Sequence, residues 1–144
     1  MLVVDASVAL KWFVEEEGSE RAAALLMAPT LLIAPDLIVA EVCDAGWKAV
    51  RRGTMAPEQH GHAASRLAAI FDELVALGPL GARAVEISRK LDHSVYDCFY
   101  LALSEQREAE FVTADRKLLQ RVIGTEWAGR SADLRSFRSH QSEG

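Results

Sequence analysis

The chain has 144 residues, half of them apolar and a quarter charged, with two cysteines and a net charge of −5. That is enough for one well-filled domain, and no apolar run approaches the ~20 residues a membrane span needs. Cys43 and Cys98 are too few and too far apart for a disulfide framework or a Cys-rich zinc site, and read as small buried filler. Asp5 follows the first apolar residues directly, without the basic flank and cleavage site of a signal peptide, so a cytoplasmic, membrane-free protein is expected. The acidic sum runs against a nucleic-acid binder. The distribution is uneven, however: Lys48, Arg51 and Arg52 cluster, as do Arg116, Lys117 and Arg121, and Arg130, Arg135 and Arg138 follow. Acids gathered in one place would leave surface that faces phosphates.

Leu2 to Val4 reads as a short buried strand and Ser7 to Val14 as a helix, which the Glu15-Glu16-Glu17-Gly18 run breaks. A second helix is expected over Ser19 to Met27, ending at Pro29. Leu31 to Ala34 is a wholly apolar strand candidate closed by Pro35. Leu37 to Arg52 has the helical stripe Ile38, Val42, Ala45 and Ala49, with Gly53 as the stop. Pro57 suits a first helical turn and opens a helix to about Asp72. A third strand is expected within Leu74 to Leu77. Helices follow over Gly81 to Leu91 and Ser94 to Gln106, then a strand over Glu110 to Thr113 and a short helix from Asp115 to Val122. One edge strand after Gly124 would complete a sheet of four to five strands. Residues 1–130 make the expected domain and 131–144 a polar, fraying tail. Strands alternating with helices predict an α/β fold, with a mostly parallel sheet flanked by helices.

Four acids interrupt this apolar pattern. Asp5 and Asp115 each follow a strand and precede a helix, so each is a helix cap or a functional group. Glu41 sits between Val39-Ala40 and Val42-Cys43. It is either the solvated edge of its helix, where Asp44 and Lys48 form an i,i+4 pair, or part of a site. Asp97 lies in SVYDCFYLAL, which is apolar nearly all round. Ser94 and Asp97 fit a capping box, although Asp is short for the return bond; otherwise a charge there needs a partner. Ligands of open parallel sheets bind outside the carboxyl ends of the strands, and all four acids can face that edge. Four carboxylates repel one another unless they are protonated or neutralised. An all-oxygen cluster suits Mg²⁺ or Mn²⁺ rather than zinc. Such ions activate water and stabilise in-line phosphoryl displacement, so the residues point to a divalent-metal phosphodiesterase.

VVDASVAL, AEV, SVYDCFYLALSE and FVTADRKL, in this order and spacing, resemble the acidic motifs of PIN-domain ribonucleases, in particular the VapC toxins of toxin–antitoxin pairs. The resemblance runs from residue 2 to about 122. It implies that Asp5, Glu41, Asp97 and Asp115 are metal-site carboxylates holding one or two Mg²⁺ or Mn²⁺ ions, with Asp5 and Asp97 as direct ligands. Ser7 and Thr113 match small hydroxyl positions that support the site or a substrate phosphate. The implied reaction is endoribonuclease hydrolysis of RNA by metal-activated water. The implied partners are an RNA substrate, a VapB-like antitoxin and a second copy of the chain. Some PIN enzymes carry a further acid two residues beyond the Asp115 position; this chain has Lys117, which reads as a solvated helix lysine or a phosphate contact.

His60 and His62 sit two apart on a helix and so on different faces, and are read as exposed. His93 precedes the Asp97 helix and is read as incidental. Trp12, Trp47 and Trp127 are read as core or dimer-interface residues. Two other functions fit the same residues: a catalytically idle PIN-fold module that docks protein or RNA, and a metal-dependent phosphatase or DNA nuclease.

Overall fold

Five short strands form one sheet: β1 (Leu2–Val4), β2 (Leu32–Pro35), β3 (Glu73–Val75), β4 (Glu110–Thr113) and β5 (Ser131–Asp133). These come from a computed structural model that describes residues 1–138. Their order is β3-β2-β1-β4-β5, and every pair is parallel. The register sets Val3 beside Ile33 on one side and beside Phe111 on the other. β1 and β2 are buried throughout and β4 in all but its first residue, which is why they read as continuous apolar runs rather than alternating ones.

Seven α-helices connect the strands: α1 (Ala6–Ala9), α2 (Ser19–Met27), α3 (Leu37–Arg52), α4 (Pro57–Ile70), α5 (Gly81–Leu91), α6 (Val95–Arg107) and α7 (Arg116–Val122). Parallel crossovers are right-handed, and the strand order reverses direction after β3. The helices α1 to α4 therefore cover one face, and α5 to α7 the other. Helix α6 crosses β1, β2 and β4 and buries Cys98, Tyr100 and Leu101 to Ser104. Gly53, at φ 77°, ends α3 by returning its N–H to Ala49 and Val50, the left-handed cap that glycine adopts without strain.

The expected elements recur within a residue or two, with three differences. Ser7 to Val14 is not one helix: α1 lasts a single turn and continues as a 3₁₀ turn over Leu10–Trp12. His60 is not exposed. Its Nε2 lies 2.8 Å from the Cys43 carbonyl, and its ring fills the space over Gly46, where a Cβ would stand 2.5 Å from the ring. The ordered chain also passes the boundary at 130. β5 pairs with β4, the Leu134 N–H donates to the Thr113 carbonyl at 2.9 Å, and the Leu134 side chain is buried. The remainder of the expected tail, 139–144, lies outside the described residues. Both cysteines are free thiols, Cys98 buried and Cys43 half-buried. Trp12 and Trp127 pack inward, with Nε1 donating to Ala22 and Glu105 respectively, whereas Trp47 is half exposed beneath the Arg51 guanidinium. No described helix is long and apolar enough to cross a membrane.

Candidate active site

β1 and β4 are neighbours whose outgoing connections run to opposite faces, so a crevice opens beyond their carboxyl ends. Asp5 and Asp115 stand at its two sides. Asp5 is 4% exposed and takes three hydrogen bonds. Oδ1 accepts from Ser7 Oγ at 2.5 Å and from the Val8 N–H at 3.3 Å, and Oδ2 accepts from Thr113 Oγ1. Each hydroxyl in turn accepts a backbone N–H from the turn after β4: Ala114 donates to Ser7 at 2.9 Å and Asp115 to Thr113 at 3.0 Å. The buried carboxylate thus fixes the turn that presents Asp115. Asp115 itself caps α7, its Oδ1 accepting from the N–H groups of Lys117 and Leu118.

Capping and the site are therefore not alternatives at either aspartate. Asp5, not Ser7, supplies the weak cap to α1, while Ser7 spans the crevice. At Asp97 the capping box is absent: Ser94 is the cap residue but its side chain makes no capping bond. Asp97 Oδ2 instead meets His93 Nε2 at 2.5 Å. His93, read as incidental from sequence, is thus a partner of the site. Its place is held by Ser88, whose Oγ donates to the His93 carbonyl and whose own carbonyl accepts the His93 N–H. Glu41 does not join the solvated edge. That edge is made by Asp44 and Lys48, paired at 3.1 Å, whereas Glu41 Oε1 accepts from the buried Tyr100 hydroxyl at 2.6 Å.

The four acids are coupled through Asp97. Burial pushes the Asp5 carboxyl up to about 7, against its hydrogen bonds with Ser7, Thr113 and Val8, and the Asp97 charge adds to the rise. Burial also raises Glu41, in part offset by Tyr100, and Asp97 raises it further. Asp97 is itself raised, first by burial and then by Asp115, with His93 opposing. Among the described residues, no three His, Cys, Asp or Glu side chains come close enough to form a ready-made metal cage. The carboxylates share an edge and repel across it rather than meeting as the closed cluster expected from the sequence. One oxygen of each outer acid is left without a hydrogen bond among the described residues: Glu41 Oε2, Asp97 Oδ1 and Asp115 Oδ2. Cys98, next to Asp97, is no nucleophile, because burial and the Asp97 charge push its thiol up to about 12.

Beside the acids lies a cleft of about 590 Å³ lined by His93, Arg116, Lys117, Gln120 and Arg121. The sequence pointed to two of the site's supports, Ser7 and Thr113, but not to Tyr100. The signal for it was one hydroxyl in an otherwise apolar helix, three residues after Asp97.

An α/β domain with acids gathered at the β1–β4 crevice is the class of protein defined by this geometry. The PIN domain family model matches residues 2–123, and the chain belongs to that family. It is 31% identical over 122 residues to Ribonuclease VapC3 of Pyrobaculum aerophilum, covering 83% of this chain and 93% of the relative. Two solved structures share the fold. Mycobacterium tuberculosis VapC20, described as a sarcin–ricin loop cleaving toxin, superposes with a TM-score of 0.67 at 16% identity, over 87% of this chain and 96% of its own. A toxin–antitoxin complex from Klebsiella pneumoniae gives 0.66 at 16% identity, over 93% and 98%.

Proposed function

We propose that this protein is the toxin of a toxin–antitoxin pair, an endoribonuclease that hydrolyses RNA with Mg²⁺ or Mn²⁺ held by Asp5, Glu41, Asp97 and Asp115. The observation that carries the reading is the set of carboxylates at the switch point of the sheet, each anchored through one side and mutually raised in proton affinity. A protein with no ligand for this edge has no reason to hold a buried Asp5 against Asp97. The donor chemistry fits a hard divalent cation: all oxygens, with no thiolate and no second imidazole. The chemistry such an ion supplies is neutralisation of phosphate charge and acidification of water. The protein's own residues do the positioning. Ser7 and Thr113 orient Asp5, Tyr100 orients Glu41 and His93 orients Asp97, as the outer partners of metal-binding carboxylates do.

The RNA substrate is supported by the relative named as a ribonuclease and by the neighbour named as cleaving the sarcin–ricin loop. An antitoxin partner is supported by the neighbour solved as a toxin–antitoxin complex. A second copy of the chain belongs to the same reading. The test is RNA cleavage by the purified chain with Mg²⁺ or Mn²⁺, with chelator, and in folded Asp5→Asn and Asp97→Asn variants. Metal-dependent cutting lost in both variants is the expected result. Equal cutting by the variants would place catalysis elsewhere.

A further inference from the structure

The acidic chain carries one depression beside its carboxylates that contains no acid. The cleft under α7 is lined by Arg116, Lys117, Gln120, Arg121 and His93. Lys117, Gln120 and Arg121 lie three and four residues apart, so they share one helix face. Lys117 and Arg121 are both exposed and make no ion pair among the described residues. Arg116 has only a loose contact, 3.8 Å, with the exposed Glu17. Arg116 also borders two smaller depressions containing Lys11 and Arg135. There the cations are already satisfied, Lys11 by Glu16 and Arg135 by Asp133. The uncompensated charge is therefore concentrated in the α7 cleft.

Two contacts tie this cleft to the reacting edge. His93 lines it and holds Asp97 through the same ring. Lys117 and Arg116 follow Asp115 directly, and the Lys117 N–H bonds to the Asp115 carboxylate. An anion in the cleft thus sits beside the carboxylates without entering them. The lining side chains are all polar, with no apolar anchor of the kind that fixes a protein segment at an interface.

We infer that the α7 cleft is a backbone-phosphate subsite for single-stranded RNA, in which Lys117 and Arg121, aided by Arg116, hold a phosphate next to the scissile one. The inference rests on the nuclease reading above and deepens it. It explains how a chain of net charge −5 brings an anionic substrate to an anionic edge: local cations supply the attraction that the total charge opposes. Lys117 and Arg121 are positioning residues here, and the carboxylates do the chemistry.

The experiment uses the full chain with chelator and a short fluorescein-labelled 2′-O-methyl RNA, which resists cleavage. Binding is followed by fluorescence anisotropy across a salt series. A Lys117→Gln/Arg121→Gln double variant is compared with Arg51→Gln/Arg52→Gln, which removes the same charge from the end of α3 remote from the acids. Matching melting temperatures and circular dichroism confirm folding. The expected result is roughly tenfold to hundredfold weaker binding for the α7 variant only. Its dependence of log K on log salt should be shallower by about 1.4, at ~0.7 per lost phosphate contact. In parallel cleavage with Mg²⁺, the loss should fall on KM rather than kcat. Equal affinity and slope in the two double variants overturns the inference. So does an α7 variant that binds RNA normally but no longer binds an acidic peptide. Wild-type chain that binds RNA with the α7-dependent slope yet never cleaves it overturns the nuclease reading and leaves the subsite standing.

Discussion

Asp5→Asn should make the folded chain more stable at neutral pH, although it removes a residue with three hydrogen bonds. The carboxyl is lifted from 3.8 to about 7 by burial and by Asp97. At ~1.4 kcal/mol per pH unit, holding it ionised in the fold costs about 4 kcal/mol relative to the unfolded chain. The sign follows from proton uptake. Between about pH 4 and pH 7 the folded state binds the proton and the unfolded state does not, so stability falls as pH rises through that window. Asparagine removes the charge but turns an N–H₂ group toward one of the two hydroxyls that donated to the carboxylate. Losing that acceptor costs about 1–3 kcal/mol, which leaves a net gain on the order of 1–3 kcal/mol at pH 8 and little or no gain below pH 4. Urea unfolding in chelator, across pH 4 to pH 8, measures both the gain and the slope. Excess Mg²⁺ should then stabilise the wild type by about 2–3 kcal/mol at a hundredfold excess over Kd, and Asp5→Asn by much less. A variant no more stable than wild type at pH 8, with the same pH dependence, would refute the argument, because the carboxylate would then be ionised without penalty.

Tyr100→Phe should cost about 1–2 kcal/mol of stability, because Glu41 loses the hydroxyl 2.6 Å from its Oε1. The same change should weaken Mg²⁺ binding by about tenfold or more, read as the shift in the cation concentration that raises the melting temperature; unchanged affinity would remove Tyr100 from the site. Leu134→Ala should cost about 2–4 kcal/mol in urea unfolding, since the side chain is buried beyond the last strand. An effect below about 0.5 kcal/mol would return residues 131–138 to the status of a tail.

The parts of the fold legible in the sequence are those whose cause is local. β1 and β4 are short apolar runs that end at an acid, and α3 carries its own stripe and glycine stop, so their order and parallel pairing follow from pattern alone. β5 was hidden because Ser131, Ala132 and Asp133 have no β-branched or aromatic residue. That strand exists through pairing with β4 and the burial of Leu134, and neither is a property of the segment. His60 was misplaced for a related reason: the space that receives it is made by Gly46, fourteen positions earlier on another helix.

The site divides along the same line. Its acids were visible because a carboxylate in an apolar run is costly and must be explained. What holds them was not, since Glu41 and Tyr100 are 59 residues apart and Asp5 and Thr113 are 108 apart. Those partners decide what the acids can do. Hydrogen bonds that favour the ionised form oppose the burial that disfavours it, so the edge is poised rather than neutralised. A divalent cation would resolve this opposition by favouring the charged form of every acid at once. The α7 cations complement that arrangement from outside: they attract an anionic backbone without pairing with the carboxylates, which an arginine placed within the crevice would silence.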